Sequence, residues 1–222
     1  MKKQDETKTR SRTLVKRLKL LYPDSRCALE FKTPLQLLIA TILSAQCTDA
    51  RVNMVTPSLF KQFTDANSFA KADPDELESV IKSTGFYKNK TKNIIACCKA
   101  LVKDHGGEIP QTMEELVVLP GVGRKTANVV LGVAFNKPGL PVDTHVGRLS
   151  FRLGLSKSED PVKIEFDLHK LIEEKEWTMF GLRIIDHGRK VCNSRKPDCE
   201  HCAIIDLCPQ NGIVKAPKST KE

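Results

Sequence analysis

Apolar residues recur three or four positions apart along most of the chain, the spacing of one face of an α-helix. Many of these segments begin with a threonine or aspartate that can serve as N-cap, in three cases followed directly by proline. The periodic segments begin near Leu14, Thr33, Thr48, Asp73, Thr112 and Asp160. Because no stretch bounded by turns alternates between polar and apolar residues, no β-strand is predicted. The pattern therefore predicts an all-α fold.

One long helix is strongly basic. It is expected over residues 87–104 and to end before Gly106-Gly107. Its first half contains Lys88, Lys90 and Lys92, a run that predicts a solvated face or a contact with phosphates.

The terminal regions are expected to differ from the middle of the chain. The segment that begins at Asp160 is predicted to run to about Trp177, and a further helix is expected over 178–190. Residues 1–10 and 213–222 are polar, and we expect them to be disordered.

The charge balance points towards nucleic acid. The 222 residues include 36 Lys or Arg and 27 Asp or Glu, a formal charge of +9. Such a surplus is typical of nucleic-acid-binding proteins, although it also serves solubility. There is no apolar run of about 18 residues and no secretory signal, so we expect no membrane contact. The compact length, without long terminal extensions, suggests a bacterial or archaeal chain and hence a cytoplasmic location near the chromosome.

The segment Leu119-Pro120-Gly121-Val122-Gly123-Arg124-Lys125-Thr126-Ala127 predicts a tight turn between two helices. Glycine permits positive φ and close approach of the backbone to a ligand. Free amides at a helix N-terminus suit a phosphate, so Gly121, Val122, Gly123 and Arg124 are candidate contacts to a DNA backbone. A plain helix-to-helix turn is the alternative.

Two residues near this turn are candidates for catalysis. Lys125 stands at the predicted start of a helix, where the helix dipole and neighbouring Arg124 both disfavour the charged ammonium; a nucleophilic lysine must be neutral. Asp143, in the segment Pro141-Val142-Asp143-Thr144-His145, is a predicted N-cap, and its carboxylate could also stabilise positive charge that develops beside it. A phosphate-binding lysine and a purely structural N-cap are the alternatives.

Four of the eight cysteines lie close together near the C-terminus, as Cys192, Cys199, Cys202 and Cys208. The spacing C-x6-C-x2-C-x5-C suits either a tetrahedral zinc ion or a four-iron cluster and does not separate the two. Basic residues beside the first cysteine, among them Lys196, would present positive charge to DNA.

Together and in this order, these motifs resemble the endonuclease III family of DNA glycosylases, from about Leu14 to Cys208. The segment Leu43-Ser44-Ala45-Gln46-Cys47-Thr48-Asp49 is also similar to a segment of that family. The resemblance implies two helical domains beside a DNA-binding cleft. One covers residues 27–137 and carries the helix-hairpin-helix; the other joins 1–26 to 138–222 and holds a [4Fe-4S] cluster in the loop 192–208.

The resemblance also implies roles for single residues. Lys125 and Asp143 match the catalytic lysine and aspartate, and Gln46 matches a residue that fills the gap left by an extruded base. Phe86 lies near the position where the family inserts a wedge into DNA, although the family's wedge is often more aliphatic. The four clustered cysteines match the ligands of the iron–sulfur cluster.

The implied activity is removal of oxidised pyrimidines from duplex DNA, followed by cleavage of the abasic site through a lysine Schiff base. We expect a monomer. Related adenine glycosylases usually lack the lysine and carry a further C-terminal domain, so Lys125 favours the bifunctional lyase. A non-enzymatic DNA-binding module with a structural zinc is the alternative from another class.

Overall fold

The computed structural model describes residues 2–213, with side chains from residue 5 onward, and within this range it contains helices and loops but no β-strand. The predicted all-α fold is thereby confirmed. No helix of the described range is both long and apolar enough to cross a membrane. The helices are α1 (Lys2–Leu21), α2 (Pro34–Leu43), α3 (Asp49–Gln62), α4 (Ala66–Ala70), α5 (Pro74–Ile81), α6 (Tyr87–His105), α7 (Met113–Val117), α8 (Arg124–Val129), α9 (Thr144–Arg152), α10 (Pro161–Leu171) and α11 (Trp177–Lys190), with short 3₁₀ turns at Lys82–Thr84, Glu174–Glu176 and Ile205–Leu207.

The chain divides into two compact units. One is continuous, from Arg26 to Pro141, and the other combines the residues up to Ser25 with those from Val142 onward. The predicted assignment of domains, 27–137 against 1–26 with 138–222, stays a prediction.

The continuous unit is built around α2. From Leu37 to Leu43 every side chain of this helix is buried, because its sequence is almost wholly apolar. Helices α3, α5, α6 and α8 supply many of the other buried side chains of the same core, and Phe69 of α4 stacks on Phe63 with ring centroids 5.1 Å apart. This core supports the loops that carry the hairpin and Gln46.

The discontinuous unit brings α1 against α10 and α11. Leu14 and Leu18 of α1 are fully buried, as are Val146 and Leu149 of α9. Residues more than 120 positions apart in the chain therefore share one core.

Most predicted helix starts are confirmed because capping acts within a few residues. The side chains of Thr33, Asp73, Thr112 and Asp160 each accept a backbone N–H from the first turn of the helix that follows. Capping does not predict how α8 ends: this helix continues into a π-helical segment at Val130–Ala134.

Two expectations about the terminal regions were wrong. Residues 2–10 are helical rather than disordered, because α1 is anchored through Arg10, whose guanidinium donates to the carbonyls of Leu153 and Leu207. The segment from Asp160 does not reach Trp177: α10 ends at Leu171, and Trp177 begins α11. The expectation of disorder over 214–222 lies outside the described residues.

Candidate active site

The two glycines of the hairpin between α7 and α8 serve different purposes. Gly121 has φ +76°, and a Cβ there would lie 2.7 Å from the Cβ of Asn93, so both conformation and space require glycine. Gly123 has an ordinary φ of −88° and no neighbour within 4 Å of a built Cβ. The predicted need for positive φ therefore holds for Gly121 alone, while Gly123 leaves open space at the start of α8.

The start of α8 presents backbone rather than a capping side chain. Gly123 is the N-cap and exposed, and no side chain accepts from the first turn of the helix. Val122 is 5 % exposed and its N–H donates to Leu119 O, so this residue anchors the hairpin to the core. Arg124 is half-buried. The first-turn amides that lack carbonyl partners within a helix are those that can meet an anion.

Lys125 is the second residue of α8, and its side chain is exposed. It follows the hairpin directly, as the sequence predicts. Exposure of the amine is what the predicted role of Lys125 requires, because a nucleophile must be accessible to its substrate.

Asp143 is the N-cap of α9, a structural role that the sequence predicts and the structure confirms. Its Oδ1 accepts the Val146 N–H at 2.8 Å, and the residue is half-buried. No hydrogen bond to Oδ2 occurs in the described part of the chain. One carboxylate oxygen is therefore held in place while the other can face a reacting group.

His145 lies in the first turn of α9, beside Asp143. Burial lowers the pKa of His145, the nearby carboxylate of Asp143 opposes this shift, and the Arg148 and Arg189 guanidinium groups add to it. Its Nδ1 lies 3.1 Å from the Arg148 guanidinium, which requires that nitrogen to act as acceptor. The imidazole is therefore neutral at physiological pH and adds no positive charge next to Asp143.

Three predicted DNA contacts line one open cavity of about 240 Å³, which we call the Gln46 groove. Gln46, Phe86 and Gly121 share it with Lys90 and Asn93. Gln46 and Phe86 are both exposed, Phe86 to 61 %, and both have left-handed backbone conformations, with φ 54° and 48°. Such conformations are uncommon for residues other than glycine and concentrate at functional sites.

Of the three lysines predicted to form a solvated basic face, Lys90 is instead buried. Lys88 and Lys92 are exposed, but Lys90 is only 4 % exposed, and burial lowers its pKa. Its Nζ donates to Leu43 O and to Thr84 O, each at 2.8 Å. Spacing along a helix could not reveal this, because both acceptors lie outside α6.

The four clustered cysteines line a second, small cavity of about 20 Å³. All four are half-buried free thiols. No three His, Cys, Asp or Glu side chains of residues 2–213 converge as ligands of a single metal ion. The four thiols thus surround a shared space and are not gathered around one point.

The chemistry of this cavity suits thiolates that bind a cationic group. The Arg152 guanidinium donates to Cys192 Sγ at 3.3 Å, and the Gln210 N–H donates to Cys208 Sγ at the same distance. Burial raises the pKa of Cys202 and of Cys208, so without a compensating cation these thiols keep their protons at neutral pH. The donor set, four thiols with two hydrogen bonds to sulfur, has the chemistry of a metal group, while no three of the described side chains converge on one ion.

Arg152 holds the segment that contains the first cysteine. Only 8 % exposed, it donates to the carbonyls of Asn193 and Ser194 at 2.7 and 2.8 Å. Nothing in the sequence pattern distinguishes it from an exposed arginine. Lys196, in the loop that follows, is exposed, as expected for a candidate DNA contact.

Comparison with known proteins agrees with this architecture. The family described as "HhH-GPD superfamily base excision DNA repair protein" matches residues 39–174. The hairpin and the helices around it are thus those of a base excision DNA repair protein.

Individual relatives match over nearly the whole chain. An endonuclease III of Synechocystis sp. is 54 % identical over 94 % of this chain and 96 % of its own length. An endonuclease III of Bacillus subtilis is 43 % identical over 88 % and 92 %. A solved structure of a trapped covalent intermediate between endonuclease III and DNA has a TM-score of 0.87 at 42 % identity, covering 91 % of this chain and 96 % of that one.

The chain belongs to the endonuclease III family, which confirms the resemblance inferred from its motifs. It is a base excision repair enzyme, a DNA glycosylase and lyase, and DNA is its partner.

Proposed function

We propose that Lys125 is the nucleophile and Asp143 the supporting carboxylate in the excision of oxidised pyrimidines from duplex DNA. The observation that carries this proposal is the exposed Lys125 amine directly after a hairpin whose next helix lacks a side-chain cap. The half-buried Asp143, with one oxygen held by Val146, supports the second role.

In this proposal the hairpin positions the DNA backbone. The amides from Gly123 onward meet a phosphate, Gly121 makes the turn and Val122 anchors it. Arg124 adds positive charge beside the same surface. These contacts place a strand without reading its sequence.

Base extrusion would use the Gln46 groove. A base inside a duplex cannot be reached by a catalytic amine, so the damaged nucleotide must leave the stack. Gln46 occupies the space left behind, and the exposed Phe86 ring separates the neighbouring bases.

The chemistry then proceeds in balanced steps. The neutral Nζ of Lys125 forms a bond to C1′ as the glycosidic C–N bond breaks, and the departing base gains a proton. The C1′–O4′ bond of the sugar then breaks, and the proton that the attached amine loses passes to O4′, which leaves a Schiff base between Nζ and C1′. Loss of a C2′ proton and of the 3′ phosphate cleaves the strand. Asp143 stabilises the positive charge that develops at the sugar.

Borohydride trapping tests the role of Lys125. With abasic-site duplex DNA and borohydride, the wild type is expected to give a covalent protein–DNA adduct that Lys125→Ala does not give. Lys99→Ala, which alters an exposed lysine of α6, is the matched control and keeps the adduct. An adduct of wild-type yield in Lys125→Ala contradicts the assignment.

Two variants separate the structural and chemical roles of Asp143. Asn is as good an N-cap as Asp, so the free energy of unfolding of Asp143→Asn is expected to lie within about 0.5 kcal/mol of the wild-type value. Base release by this variant is expected to fall at least 100-fold. Asp143→Ala loses the cap as well, which is expected to lower the free energy of unfolding by about 1 kcal/mol. If Asp143→Asn keeps wild-type base release, the carboxylate is only a cap.

We also propose that Cys192, Cys199, Cys202 and Cys208 hold a [4Fe-4S] cluster. The shared cavity and the two hydrogen bonds to sulfur support this proposal. The bound cluster would cross-link the loop 192–208 through its iron–thiolate bonds. The loop then presents Lys196 to DNA.

Metal analysis tests the cluster. Purified protein is expected to contain about four iron and four sulfide per chain and to lose both in Cys202→Ser, whereas Cys27→Ser, outside the cavity, keeps them. One zinc per chain would contradict the proposal. We also propose that the protein is a monomer and that it acts in the cytoplasm. The Synechocystis and Bacillus relatives support a bacterial setting. The mass of the purified protein in analytical ultracentrifugation tests the monomer.

A further inference from the structure

A buried ammonium in the continuous unit is held by backbone carbonyls. Lys90 is 4 % exposed, and its Nζ donates to Leu43 O and Thr84 O, each at 2.8 Å. Burying a charged group is costly unless hydrogen bonds replace its water. The two carbonyls supply that replacement.

Both acceptors stand at the C-terminal ends of helical segments. Leu43 is the last residue of α2, and Thr84 is the last residue of the 3₁₀ turn Lys82–Thr84. The last carbonyls of a helix lack partners within it, and the helix dipole makes that end negative. One ammonium therefore caps two helical ends that lie 41 positions apart in sequence.

Each capped end leads into a residue with a left-handed backbone. Gln46 (φ 54°) follows Leu43 by three positions, and Phe86 (φ 48°) follows Thr84 by two. Strained conformations of this kind persist only where the surroundings hold the chain in place. Lys90 holds the chain immediately before both of them, and all three side chains line the Gln46 groove.

We propose that Lys90 is a positioning residue that holds Gln46 and Phe86 in a fixed relation, so that both enter the duplex together when a base is extruded. The inference rests on the roles proposed above for Gln46 and Phe86. Two side chains held in their working positions before binding need no ordering when they enter DNA. Without the shared cap, each segment would move independently, and extrusion would lose efficiency while the chemistry at Lys125 would not.

The test compares two substrates. Lys90→Met keeps the length of the side chain but has no N–H to donate. Release of a damaged base such as thymine glycol from duplex DNA is expected to fall about 10- to 100-fold in kcat/KM. Borohydride trapping on a preformed abasic site, where no base has to be extruded, is expected to fall less than about threefold. In a duplex with 2-aminopurine opposite the lesion, the rise in fluorescence on extrusion is expected to slow in parallel with base release.

Two further variants complete the experiment. Lys99→Met changes an exposed lysine of the same helix and is expected to behave as wild type on both substrates. Lys90→Gln keeps an amide that can donate to one of the carbonyls, so base release is expected to fall between wild type and Lys90→Met. If Lys90→Met does not fold, as judged by circular dichroism, Lys90→Gln against Lys99→Met carries the comparison.

The outcomes separate this inference from the proposed function. A natively folded Lys90 variant whose base release and abasic trapping fall by the same factor, or not at all, overturns the positioning role. If the wild type neither releases damaged bases nor forms an adduct, the proposed function itself fails. Selective loss of base release in the Lys90 variants, with the wild type active, supports both.

Discussion

Replacing Arg10 by methionine should loosen α1 from the unit that contains the cysteine cavity. The guanidinium of Arg10 donates to Leu153 O at 2.6 Å, to Leu207 O at 2.8 Å and to Gly154 O at 3.2 Å. Leu207 lies between the last two clustered cysteines, so one side chain joins α1 to the turn after α9 and to the cysteine loop. Methionine preserves the aliphatic stem and removes every donor.

The size of the effect follows from these three acceptors. A hydrogen bond with one charged partner contributes about 1.5–3 kcal/mol. Arg10 is half-buried, so water can replace part of what is lost, and the three bonds share one donor group and do not add. We therefore expect the free energy of unfolding to fall by about 2–3 kcal/mol. With a urea m-value of about 2 kcal/mol/M, the midpoint should fall by about 1–1.5 M.

The single tryptophan gives a local signal for this measurement. Trp177 lies in the same unit as Arg10, stacked on His169 with ring centroids 3.6 Å apart, so its fluorescence reports the unfolding of this unit. Visible absorbance during incubation with a chelator follows the proposed cluster in parallel and should decay faster in Arg10→Met. Lys8→Met, on an exposed position of the same helix, is the matched control.

A urea midpoint for Arg10→Met within about 0.2 M of Lys8→Met would refute the reasoning, because that shift corresponds to less than about 0.5 kcal/mol. It would mean that the three carbonyls are as well satisfied by water as by the guanidinium. An unchanged midpoint with faster loss of absorbance would refute the magnitude assigned to the anchor of α1.

Further substitutions test the hairpin and the core. Gly121→Ala should cost about 2–4 kcal/mol in urea unfolding, since its φ of +76° and the 2.7 Å approach to Asn93 both exclude a side chain. The free energy of unfolding of Gly123→Ala should lie within about 0.5 kcal/mol of the wild-type value. This variant should nevertheless bind DNA about tenfold more weakly in fluorescence anisotropy at fixed salt, because its methyl group occupies the space in front of α8. Equal losses of stability in the two alanine variants would contradict this distinction. Phe69→Ala should cost about 3–5 kcal/mol, because Phe69 is 1 % exposed and stacks on Phe63; a loss under 1 kcal/mol would show that the core closes around the gap.

Features that depend on neighbouring residues could be predicted from the sequence. The N-caps at Thr33, Asp73 and Asp143 bond to amides within three positions, so residue type and order are sufficient to predict them. The family motifs extend the same logic, since Lys125 and Asp143 occupy the predicted starts of α8 and α9. Their catalytic roles stay predictions.

Features that depend on residues distant in the chain could not be predicted from the sequence. Lys90 has the sequence surroundings of an exposed lysine, but its acceptor Leu43 O lies 47 positions earlier. Residues 2–10 are polar and look unable to order themselves, yet Arg10 finds acceptors far along the chain. Both errors have one physical cause: a charged side chain was assumed to keep its water, whereas the fold offered it unpaired carbonyls.

The discontinuous unit has a consequence for synthesis on the ribosome. Arg10 and its acceptor Leu207 are 197 positions apart, and the whole of the continuous unit is translated between them. At about 5–20 residues per second, the acceptor is made roughly 10–40 s after the donor. Until α10 and α11 have been made, the nascent α1 carries its apolar Leu14 and Leu18 without their partners, while residues 26–141 can already assemble their own core. The first helix to be made is thus the last to be anchored, and a ribosome that stalls after residue 141 would release a chain with one finished unit and one exposed basic helix.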